Sequence, residues 1–175
     1  MVSVVGREWD KLTETSFKLL NELANELVET SFTESGLYWG VFLKCPEIQK
    51  LTVQKMTVKR IQLLDKIQGH LTTFTDLHQS VVTLFYQIQD AVDKDGDHRA
   101  LVDTETILGE WIEMYRQDLL CKVDIIRDFR KLSESSHMFH SGTRDDLLIY
   151  LSVWTLKPRL NADRLAEIEA IIPRF

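Results

Sequence analysis

The sequence predicts an all-α fold, an elongated bundle of long antiparallel amphipathic helices with short carboxy-terminal helices. Apolar residues recur at steps of three and four through most of the chain, the spacing that places them along one side of a helix. One such run continues over nine positions, and no alternation of helical and strand patterns interrupts the series. At 175 residues, 44% of them hydrophobic, the chain fits a single domain, 1–175, able to bury a useful core.

The first helix runs from Trp9 to about Glu29. Trp9, Leu12, Leu19, Leu20, Leu23 and Leu27 form its apolar side, and Asp10, Lys11, Glu14, Lys18, Glu22 and Glu26 its wet side. The stretch TSFTESGLYWGVFLKC that follows is either a continuation weakened by Gly36 and Gly40 or a packed break. Pro46 sets a firmer boundary, because proline restricts the residue before it and has no N–H for an interior helical ladder.

The clearest signal comes next. Leu64, Ile67, Leu71, Phe74, His78, Val81, Phe85, Ile88 and Val92 share one stripe, and Leu63, Leu77 and Leu84 widen it, which predicts a helix with neighbours on two sides. From Leu51 to Val92 such a helix would span about 60 Å at 1.5 Å per residue. The polar stretch DKDGDHRALVDTE then forms the principal turn, near 93–103. Its aspartates do not make a calcium loop, since a motif begun at Asp93 puts Gly96 fourth instead of sixth and Thr104 where the bidentate glutamate belongs.

A third helix, capped by Asp103 or Thr104, presents Ile107, Leu108, Trp111, Met114, Tyr115, Leu119, Ile125, Ile126, Phe129 and Leu132. It ends before a variable loop near 133–142, which Met138 and Phe139 can pin down. Thr143 and Asp146 form a partial capping box for a short helix whose apolar side is Leu147, Leu148, Tyr150, Leu151 and Trp154. Pro158 and Asn161 mark its end and the start of a last helix carrying Leu165, Ile168 and Ile172.

The net charge of −6 disfavours direct nucleic-acid binding, which needs clustered cations against phosphate. No apolar run approaches the roughly 18 to 20 residues of a membrane span, and the opening MVSVVGREWD lacks the basic and long apolar regions of a secretory leader. Cys45 and Cys121, with no CxxC pair, suit a reducing compartment.

Catalytic patterns are missing. There is no phosphate-binding loop, dinucleotide fingerprint, serine elbow or HExxH pair. His137 and His140 lack a third ligand for zinc, and His78 reads as a seam histidine making one or two hydrogen bonds. Asp145 and Asp146, adjacent on a helix, do not face each other, and Cys121 reads as a packed thiol. No catalytic, cofactor-binding or metal residue is assigned. Trp39, Trp111, Tyr115, Tyr150 and Trp154 can serve either internal packing or an interface.

Two blocks carry a resemblance: EMYRQDLLCK (Glu113 to Lys122) and DLLIYLSVWTLKP (Asp146 to Pro158). The first has Met-Tyr-Arg, an acidic residue, Leu and Lys, and the second Leu-x-Tyr-Leu-Ser-x-Trp, as in the cyclin-dependent kinase 2-interacting protein family, which the chain resembles. It departs from that family at Val123 and Asp124, where basic character is expected, and in the longer SESSHMFHSGTR connection. The earlier LLDKI stretch is weakly similar to a sister ribosome-maturation factor. The resemblance implies a non-catalytic helical adaptor of an AAA+ ATPase assembly, acting with that sister factor in large ribosomal subunit maturation and in replisome and genome maintenance, in nucleus and cytoplasm, with ribosome or replisome contact indirect. It marks Met114, Tyr115, Leu119, Tyr150, Leu151 and Trp154 as partner-interface candidates. The competing expectations are a homo-oligomeric coiled-coil structural module and, more distantly, an unrecognised enzyme.

Overall fold

In the computed structural model residues 2–34, 37–95, 99–134 and 141–171 are described. They form α1 (Val2–Glu34), a 3₁₀ segment (Leu37–Lys44), α2 (Pro46–Asp95), α3 (Arg99–Glu134), α4 (Ser141–Leu156) and α5 (Ala162–Ile171), and no strand occurs among the described residues. The all-α, elongated expectation holds. At 1.5 Å per residue α2, with 50 residues, is about 75 Å long.

α1 extends beyond the expected span at both ends, and its apolar arc of Trp9, Leu20, Leu23 and Leu27 is buried. The stretch after it is a break. Gly40 has φ 46° and ψ −119°, a left-handed backbone that glycine adopts without a Cβ clash. Trp39, buried beside it, donates its indole N–H to the Thr33 carbonyl at 2.9 Å. The Gln49 amide donates to the carbonyls of Phe42 (3.1 Å) and Leu43 (3.0 Å), which fixes the break against the next helix. Pro46 opens α2 at the first helical position, where its missing N–H costs nothing.

The seam of α2 faces inward as expected: Leu64, Ile67, Leu71, Phe74 and Val81 are buried, and His78 and Phe85 are half-buried. The side chains of Ile88 and Val92 lie outside the described residues. Several boundaries need correction. α2 continues to Asp95 and α3 already begins at Arg99, so Asp103 and Thr104 lie inside α3 and do not cap it. Within the expected turn only 96–98 lie outside the described residues. Likewise α4 begins at Ser141, which puts Thr143 inside the helix instead of at its cap. Helix-compatible residues on the flanks of both connections extend the helices into segments whose polar composition reads as loop. Met138, Phe139, His137 and His140 fall in 135–140, outside the described residues.

Cross-helix contacts fix an up-down-up-down order. Lys59 of α2 pairs with Glu22 (3.1 Å) and Glu26 of α1. The imidazole of His78 lies 3.3 Å from the Ile112 carbonyl, and Arg130 donates to Gln68 at 3.4 Å, so α3 runs antiparallel to α2. Lys157 pairs with Asp10 while Trp154 sits on Ser16, so α4 runs antiparallel to α1. Glu26 departs from the wet side assigned to it: it is buried beside Lys59, a pairing invisible within either helix alone.

α4 ends where Lys157 takes φ 48°, one residue before Pro158. Asn161 then caps α5 as predicted, its side-chain oxygen accepting from the Arg164 N–H at 3.1 Å. The Arg164 guanidinium grips Glu110 at 2.7 Å and ties α5 to α3.

Candidate interaction surface

Helices α1 to α4 meet around a buried charged knot. On α3 the core positions Trp111, Tyr115, Asp118, Lys122, Ile125 and Phe129 follow one another by three or four residues, and all are buried. Asp118 and Lys122 therefore occupy the apolar arc. Lys122 Nζ donates to Asp118 Oδ2 at 2.8 Å, and the Trp9 indole N–H donates to the same oxygen at 2.8 Å. The ammonium also lies 5.0 Å from the centre of the Trp154 ring and 5.6 Å from that of Phe74, within reach of both π-faces.

Trp9 stands edge-on to Phe74 and Tyr115, with ring centres 4.6 and 4.9 Å apart. Trp154 completes the crossing by donating to Ser16 Oγ at 3.2 Å. One residue or more from each of α1, α2, α3 and α4 thus shares this centre. Burial pushes the Lys122 pKa down, opposed by Asp118, and pushes the Tyr115 phenol up. Removing two charges from water costs several kcal/mol each, so the pair holds only while both members and their hydrogen bonds are present.

This geometry relocates the interface candidates. Tyr115 is 5% and Trp154 0% exposed, so neither is accessible to a partner. Met114, Leu119, Tyr150 and Leu151 are half-buried and pack against the same core. Tyr150 lies 5.9 Å from Phe129, ring to ring, and its hydroxyl donates to Asp128 at 3.1 Å. α3 and α4 meet through Tyr150 on Asp128 and Phe129 and through Trp154 on Lys122, while Met114 and Leu119 pack against the common core. Trp111 is internal too.

What α4 offers outward is its opposite side. Leu148, Ile149 and Leu156 are 55–75% exposed, a correction for Leu148, which the sequence placed on the buried arc. With Ser152, Val153 and Pro158 they line an open apolar trough of about 290 Å³. From Leu147 to Leu156 apolar residues stand on both sides of the helix, yet only one side is covered within the chain. The spacing already contains this signal: Ile149, Ser152 and Leu156 fall opposite Leu147, Leu151 and Trp154, with Leu148 at the edge between the two sides.

Other chemistry-bearing residues stay apart. Among the described residues no three His, Cys, Asp or Glu side chains cluster as a metal site, and no helix is long and apolar enough to cross a membrane. Cys45 and Cys121 are unpaired thiols, both half-buried, and burial raises the Cys121 pKa, away from the thiolate form that reacts. Asp145 and Asp146 are exposed. A scan against protein-family models finds no match, and a search of curated proteins finds none either.

Proposed function

We propose that the chain is a non-catalytic helical adaptor subunit of an AAA+ ATPase assembly, acting with a sister helical ribosome-maturation factor. On this reading it serves maturation of the large ribosomal subunit and replisome and genome maintenance, in nucleus and cytoplasm. ATP hydrolysis belongs to the partner. The carrying observation is the uncovered apolar side of α4, Leu148, Ile149 and Leu156, which lies in the same DLLIYLSVWTLKP block that carries the resemblance. An exposed patch of this kind rimmed by polar residues is typical of a protein-binding surface.

The buried half of that block, Tyr150, Leu151 and Trp154, positions the helix, and the outward half makes the contact. Tagged chain purified from its native cells at near-physiological salt tests the reading by quantitative mass spectrometry. Stoichiometric recovery of an AAA+ ATPase with the sister factor is the expected result. Recovery of a self-oligomer alone would favour the coiled-coil structural module.

A further inference from the structure

The amino-terminal half of α2 carries a second apolar stripe. Met56, Leu63, Leu64 and Ile67 face the core and are buried, but Ile48, Leu51, Val58 and Ile61 are 42–65% exposed. At 100° per residue the second group lies on the opposite side of the helix. Its spacing is that of a coiled-coil seam: Ile48, Leu51, Lys55 and Val58 follow at three, four and three, with Ile61 at its edge. Lys55 occupies the middle of the stripe and is exposed.

Charge sets this segment apart. Residues 44–60 hold Lys44, Lys50, Lys55, Lys59 and Arg60 against a single carboxylate, Glu47, in a chain whose net charge is −6. Lys59 is matched by Glu22 and Glu26 of α1, whereas Lys50 and Lys55 stand on the solvent side of α2. A second copy of this chain fits the stripe poorly. A parallel pairing in register sets Lys55 against Lys55, and an antiparallel one about the centre of the stripe brings the same two lysines side by side. Like charges at such positions destabilise helix pairs.

We infer that the stripe Ile48, Leu51, Lys55, Val58 and Ile61 docks an amphipathic helix of a different chain, one that brings an Asp or Glu opposite Lys55 and further carboxylates along its flanks. This deepens the adaptor reading and rests on it: it states the chemistry of one partner segment and gives it a surface separate from α4. The aliphatic residues supply the area removed from water, and Lys55 selects partner and register, as a single polar residue in a helical seam does.

The test places a photo-crosslinking amino acid at Leu51 of the full chain in its native cells, and in a parallel strain at Leu148, and identifies the joined peptides by mass spectrometry. At Leu51 the expected product is a peptide from another protein with apolar residues at steps of three and four and flanking Asp or Glu. Lys55→Glu should lower its yield at least tenfold with helicity unchanged, and exchanging the facing carboxylate for Lys should restore it. Linkage to a second copy, to a peptide without carboxylates, or a yield indifferent to Lys55→Glu would overturn the inference. If Leu148 links a partner and Leu51 does not, the stripe fails while the adaptor reading stands; if neither links, both fail.

Discussion

The centre of the bundle and the outer side of α4 are built from similar residues and put them to opposite use. At the centre, aromatic rings and aliphatic chains surround a lysine and an aspartate whose charges answer each other and a tryptophan N–H. On α4, Leu148, Ile149 and Leu156 are each more than half exposed. The first region closes the fold and is unavailable to a partner. The second leaves apolar surface in water, which is the more stable for being covered. In α4, Tyr150 and Trp154 therefore hold the helix on the bundle, while Leu148, Ile149 and Leu156, which flank them in sequence, form its exposed side.

The contrast predicts very different responses to substitution. Lys122→Met leaves Asp118 charged and uncompensated and should cost about 3–5 kcal/mol in urea unfolding. Replacing both, with Asp118→Leu and Lys122→Met, should recover part of that loss because no isolated charge remains. A single variant within about 0.5 kcal/mol of the parent would show that the pair is not held in a dry interior. Trp154→Ala should cost a similar amount, about 3–5 kcal/mol, through the cavity it leaves. Trp154→Phe keeps most of the ring contact and should cost about 1 kcal/mol for the lost donation to Ser16, read by the same unfolding curves.

On the outer side of α4 the balance reverses. The double variant Leu148→Glu, Ile149→Glu should shift the unfolding free energy by no more than about 0.5 kcal/mol per site, yet reduce partner recovery about tenfold or more, as loss of an interface anchor does. A large fall in stability would instead mean that this side is packed within the chain. The smallest effect belongs to the exposed Glu113, whose carboxyl is drawn down to about 2, first by the Arg116 guanidinium and then by Gln117. Its folded pKa lies below its ordinary 4.5, so its contribution is present above that pH and is lost as pH falls through about 2. Glu113→Gln should cost only about 0.3 kcal/mol at neutral pH, and the difference from the parent should vanish in acid unfolding series.

The helices were legible because their seams are long: the run from Leu64 through Phe85 fixes which side of α2 is buried, and Pro46 and Asn161 mark boundaries by local chemistry. Their ends at Asp95, Arg99 and Ser141 were not, because polar residues that favour turns are also tolerated in exposed helix. The burial of Lys122 and Asp118, the lysine and acidic residue of EMYRQDLLCK, is not legible for a different reason. Composition assigns charges to solvent, and only their phase with Tyr115 and Ile125 reveals that they point inward. Leu148 reads as buried because apolar residues stand on two sides of α4 between Leu147 and Leu156, and hydrophobicity alone does not say which side the rest of the chain covers.

The most direct test compares the complexes recovered with the parent chain and with the Leu148→Glu, Ile149→Glu variant, tagged in native cells and normalised to folded protein. The expected result is an AAA+ ATPase and the sister helical factor with the parent and their loss with the equally stable variant. Unchanged partners with the variant, or a self-oligomer alone with both, would contradict it.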